Sequence, residues 1–203
     1  MAAEPLAAGS GLTVSIAVPD GWYMPAPASL TGWEAESDTA AAGGFPLREV
    51  MSGLAMESSA SGVVACAFGT LPGPDGGRFG ASCVLAVRPA LADGEVATAM
   101  QRISAADPGA GPREEICRLE LAGLAGRLAW TPALGARGER VCCVEFYVPF
   151  PGEDDRRAAV LACSAVAVAP SREVFAVLDS LAATLCFMEP ETEAEALAVA
   201  SCR

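Results

Sequence analysis

The chain has 203 residues, 52 % of them hydrophobic, which suits one domain able to bury about 70 % of its unfolded surface. Its 13 basic against 25 acidic side chains leave a formal net charge of −12, which excludes nonspecific nucleic-acid binding and works equally against anionic membrane surfaces. Every basic residue is arginine: with no His there is no Ser–His or Cys–His nucleophile and no imidazole proton shuttle, and with no Lys there is no Schiff base, Walker-type phosphate ligand or Ser–Lys dyad.

Residues 1–10 are small and polar and read as a flexible N-terminal arm. They lack the basic stretch and apolar core of a secretory leader, and no run of about 18 apolar residues follows anywhere, so the expected location is the cytoplasm. Leu12, Val14, Ile16 and Val18 alternate with small polar positions, the period-2 signature of a strand that founds a sheet. Pro19-Asp20-Gly21 turns the chain, and Trp22 and Tyr23 follow at once. Residues 24–42, rich in Pro, Ala, Ser and Gly and carrying Trp33, read as a long irregular loop of the kind that often bears function. Residues 45–56 read as a helix with Leu47, Val50, Met51 and Leu54 on one face.

Residues 63–69 and 80–87 form a predicted strand pair across a Gly- and Pro-rich connection. Gly76, Gly77 and Gly80 do not make a phosphate cradle there, because no Lys follows and the next element is a strand rather than a helix N-terminus. Residues 95–104 are a predicted helix, with Val96, Met100 and Ile103 on its stripe. Strands follow at 114–121, 124–130 and 140–150; in the last, Cys142, Val144, Phe146, Val148 and Phe150 point one way and Glu145 and Tyr147 the other. Residues 151–157 are a charged hairpin loop, and 158–168, apolar on both faces, should run centrally in the sheet. Ser171 is an N-cap with Glu173 at the positive end of a helix whose stripe is Val174, Val177, Leu178, Leu181 and Leu185, finished by Phe187 and Met188. Residues 189–203 are an acidic C-terminal tail.

This order predicts an α+β fold: one domain over residues 11–188, an antiparallel sheet of about six or seven strands flanked by helices. It shows no β-α-β alternation of a dinucleotide fold. None of the eight cysteines has C-x-x-C spacing, so they read as small buried hydrophobes, with Cys142 and Cys143 on opposite sheet faces and Cys202 in the tail.

The opening V-S-I-A-V-P-D-G-W, from Val14 to Trp22, resembles the strand and Pro-x-Gly-Trp start of PsbP-like domains. The finish, a long hairpin and then a helix from Glu173-Val174-Phe175 to Leu185-Cys186-Phe187, resembles the same superfamily. That group includes the photosystem II extrinsic protein, actinobacterial LpqN-type lipoproteins and bacterial effector chaperones. The Arg-only, Ala-rich usage is likewise actinobacterial in character. The resemblance implies a PsbP-like α/β sandwich, a scaffold that binds partners and brings no shared catalytic residues; LpqN-type members carry a lipoprotein signal that this chain lacks.

Two functional expectations follow. The first is a non-catalytic, chaperone- or adaptor-like domain without a cofactor, engaging a protein partner through Trp22, Tyr23 and Trp33, since aromatic anchors dominate interface energetics. The second is a small-molecule-binding protein or carboxylate-based enzyme with a cavity between sheet and helix, drawing on Glu145, Glu153, Asp154 and Asp155. Such acids do acid–base work only when their environments separate their pKa values.

Overall fold

The computed structural model describes residues 12–24, 62–73, 76–89, 95–134, 139–152, 156–166 and 169–189. Its centre is a six-stranded antiparallel sheet built from β2 (Val63–Pro72), β3 (Arg78–Pro89), β4 (Arg113–Leu119), β5 (Gly123–Trp130), β8 (Cys142–Pro149) and β9 (Arg157–Val166), in the spatial order β2-β3-β9-β8-β5-β4. The α+β expectation therefore holds, and the doubly apolar run at 158–168 becomes β9, an interior strand between β3 and β8. Two minor ladders complete the set: β1 (Thr13–Ser15) with β10 (Cys186–Met188), and β6 (Ala133–Leu134) with β7 (Glu139–Arg140).

Side-chain alternation splits the sheet into two faces. One carries Cys83 opposite Cys163, Cys163 opposite Val144 and Val144 opposite Ala129, so each interior strand contributes small or branched residues at every second position. Helix α2 (Arg172–Ala182) covers this face through Val174, Leu178, Leu181 and Ala182. Ser171 caps the helix, its hydroxyl accepting from the Val174 N–H at 3.3 Å, as Ser followed by a first-turn Glu foretells. The second face carries Leu128, Tyr147 and Val160, against which α1 (Glu95–Ala106) lays Val96 and Ala99. Gly126 is what lets α1 approach: a Cβ there would run into the Val96 side chain.

Two expectations need correcting. The strand read over 12–18 pairs only over Thr13–Ser15, and it founds no part of the main sheet; its partner is β10. The last helix does not run to Met188 but stops at Ala182. Thr184 supplies the reason. Its hydroxyl lies 2.7 Å from the Leu181 carbonyl and 3.1 Å from that of Ala17, and it accepts from the Ala17 N–H at 3.1 Å. The chain thus leaves the helix to run beside residues 13–15. Phe187 then meets Phe150 with ring centroids 4.7 Å apart, and the Arg157 guanidinium lies 4.2 Å over the Phe150 ring.

Smaller differences are matters of ends. The first hairpin is longer than expected and closes through Gly73, whose N–H donates to the Gly77 carbonyl at 2.8 Å. β4 ends at Leu119, so Leu121 lies in the turn and not in the strand. The stretch between the strands read at 124–130 and 140–150 includes β6, held to the end of α1 by Asp107. The Asp107 carboxylate accepts from the Ala133 N–H at 3.1 Å and the Gly109 N–H at 2.9 Å and pairs with Arg140 at 3.4 Å. The Ala133 bond is the main reason that its acidity rises above the ordinary Asp range. The arm at 1–10, the loop at 25–42, the helix at 45–56 and the tail beyond Glu189 lie outside the described residues.

Candidate functional site

Three arrangements on this scaffold bear on function. The first is a row of polar groups on the α1 face, where Ser82 of β3 stands opposite Ser164 of β9, Ser164 opposite Cys143 of β8, and Cys143 opposite Trp130 of β5. The Ser82 and Ser164 hydroxyls are 2.8 Å apart and fully buried. One rung along, Glu145 accepts a short hydrogen bond from the Tyr147 hydroxyl. Glu145 is 5 % exposed and Tyr147 9 %, so these groups answer one another inside the protein rather than facing solvent. Among the described residues no buried side-chain N or O lacks a partner. Glu145 is thus the one candidate acid that the described residues include, and it is a buried strand residue; Glu153, Asp154 and Asp155 lie outside them.

The second arrangement was not singled out in the sequence. Arg127, on β5, reaches across the α2 face: its Nε and Nη2 donate to the two carboxylate oxygens of Asp179 on α2, at 2.9 and 3.1 Å. Its Nη1 donates to Glu115 of β4 at 2.6 Å. The guanidinium is buried while both acids are partly exposed, which makes it a clamp fixing α2 and the edge strand to β5. An arginine in the otherwise apolar run L-A-G-R-L-A-W, facing a helix with Asp179 among its leucines, was the available signal.

The thiols form a third group. Among the described residues no two cysteines form a disulfide, and Cys142 and Cys143 do lie on opposite faces of β8. Burial pushes Cys66 up from 9.0 to about 11 and Cys83 up to about 12. Cys143 and Cys163 are raised further, chiefly by burial, with Glu145 and neighbouring thiols adding to it. The folded chain keeps these protons where the unfolded chain has released them. The stabilisation they give is complete below about pH 9 and is lost as the pH rises toward 11 or 12. In reducing buffer the urea midpoint is therefore expected to fall from pH 8 to pH 10.5, and to fall less in the Cys66→Ala, Cys83→Ala double variant. Parallel curves for the two proteins would contradict this.

The surface is where the anchors separate. The Trp22 indole is half-buried, packs on the core and donates from Nε1 to the Thr70 carbonyl at 3.3 Å. Gly69 makes its seat, since a Cβ there would collide with the indole. Tyr23 extends the edge of β2 by one bridge, its N–H donating to the Phe68 carbonyl at 2.9 Å and its carbonyl accepting from Phe68 at 3.0 Å. Its ring is 45 % exposed and tilted on Phe68. Trp33 lies outside the described residues. The structure brings Trp22 and Tyr23 together at one end of the sheet.

The opposite end is barer. β4 is the last strand of the sheet, and among the described residues nothing pairs with its outer edge. Beside that edge Ile116 is 71 % exposed, Leu124 65 % and Leu121 61 %. Ile116 and Leu124 share the face of Gly126 and Leu128 on which α1 lies, yet both stay exposed although α1 packs against β5 and touches β4. The alternation at 114–121 located the strand but ran it past its end at Leu119. It could not show which strand would lie last in the sheet.

Among the described residues no helix is long and apolar enough to cross a membrane. No protein-family model matches the sequence, and no curated protein resembles it closely enough to count as a relative.

Proposed function

We propose that this is a non-catalytic protein-binding domain, chaperone- or adaptor-like, whose principal contact surface is the β4–β5 hairpin. The observation that carries the reading is the group of large aliphatic side chains, Ile116, Leu121 and Leu124, exposed beside a strand edge with which nothing pairs among the described residues. Open edges and exposed apolar groups are costly to keep in a monomer and are the common currency of partner recognition. Tyr23 gives an exposed ring at the far end of the sheet. Among the described residues, the one candidate acid, Glu145, is enclosed with Tyr147, and burial holds thiols such as Cys83 and Cys143 protonated. The likeness to PsbP-like scaffolds points the same way, toward binding rather than turnover.

The test is affinity capture from an extract of the source cells. Immobilised wild type is expected to retain a protein, its own untagged copy included, and to lose it when Ile116→Glu and Leu124→Glu are combined. Retention of no protein by either form, with a small molecule co-purifying with the wild type, would overturn this reading in favour of a ligand cavity.

A further inference from the structure

From the charge pattern of β4 and its place at the sheet edge, we infer that the partner of this edge is a second copy of the same chain, docked antiparallel about a two-fold axis through Ile116. The inference rests on the protein-binding reading above and names the occupant. β4 reads R-E-E-I-C-R-L, two Arg and two Glu, so the strand is neutral in a chain of net charge −12. A neutral segment is where two copies of so acidic a molecule can approach with least repulsion.

The order of those charges selects one register. A two-fold axis perpendicular to the sheet keeps each face continuous across the dimer, so opposed residues must share a face. With the axis at Ile116, Glu114 of one copy opposes Arg118 of the other, twice, and Ile116 opposes Ile116 between them. Moving the axis one residue back sets Glu115 against Glu115. Moving it one residue forward sets Glu114 against Glu120 and Ile116 against Arg118. Parallel in-register pairing would set every charge against itself. Only the register centred on Ile116 makes both charged pairs opposite and buries the exposed isoleucine.

The rest of the patch fits the same axis. Leu124 stands opposite Arg118 on β5, diagonal to Ile116 and on the same face. Two copies therefore bring two Ile116 and two Leu124 side chains into one apolar strip across a continuous twelve-stranded sheet. Charged residues on an edge strand commonly block pairing. Here their order blocks the other registers and admits this one.

Sedimentation velocity on the purified full-length chain tests the inference. Wild type is expected to be a dimer at micromolar concentration. Glu114→Arg alone or Arg118→Glu alone places like charges opposite one another and is expected to weaken the dimer about 100-fold. The double variant Glu114→Arg, Arg118→Glu restores opposite pairs and is expected to dimerise like the wild type. These side chains are exposed at an edge, so unchanged circular dichroism and urea midpoints verify that each variant folds. A monomeric wild type, single variants that remain dimers, or a charge swap that fails to restore the dimer would each overturn the self-pairing. A monomeric wild type that still captures another protein through Ile116 and Leu124 overturns the self-pairing alone and leaves the binding reading standing. One that captures nothing removes both.

Discussion

Replacing Phe146 by alanine is expected to destabilise the fold by about 3–5 kcal/mol, the largest effect of any single truncation in the described core. Phe146 is the bulkiest of the fully buried side chains. It sits on β8, opposite Leu161 of β9 and Arg127 of β5, on the face that α2 covers. Removing the ring forfeits its transfer free energy and leaves a cavity under the helix that the two flanking strands, both hydrogen-bonded on each side, cannot collapse to fill. Urea denaturation with the slope held common would show the change as a shift in midpoint, and thermal melting as a loss of about 10 °C or more. A change below about 1 kcal/mol would mean that α2 is not seated as described.

Arg127→Ala is expected to cost about 2–3 kcal/mol, and Asp179→Asn clearly less. A buried ion pair broken on one side typically costs about 3–5 kcal/mol, because the remaining charge is stranded away from water. Here the groups left behind, Asp179 and Glu115, are 39 % and 49 % exposed and can rehydrate, which lowers the figure. What is lost is the bidentate grip on α2, the bond to the edge strand and the packing of the arginine stem. Equilibrium unfolding of the two variants and the double variant closes the cycle. A double variant no worse than Arg127→Ala would show that Asp179 acts through the arginine, whereas fully additive losses would show that the clamp carries no coupling.

How much of this was visible in the residues depends on the range of the interaction. The face assignment in 140–150 came from alternation alone, and the Ser171 cap from a hydroxyl three residues ahead of its N–H; both are local, and both stand. The helix end at Ala182 was invisible because Leu185, Phe187 and Met188 continue a tolerable helical stripe. What stops the helix is the Thr184 hydroxyl meeting Ala17, a contact across 167 positions. For the same reason Thr13–Ser15 looked like the start of a sheet when its partner is the last strand. Within the candidate site, Tyr23 could be named because a ring just after a turn stands out. Arg127 and Ile116 could not, since one depends on which helix lies above β5 and the other on which strand comes last.

The pairing of Thr13 with Met188 has a further consequence, for protein architecture. Among the described residues, the first strand and the last run side by side, so their outer ends lie a few ångströms apart across one rung of a ladder. A unit whose entrance and exit adjoin can be spliced into a surface loop of another protein without prising that loop open, or have its ends joined by a short bridge and be cut elsewhere. A segment inserted just before residue 13 and one inserted just after residue 188 would therefore begin as neighbours.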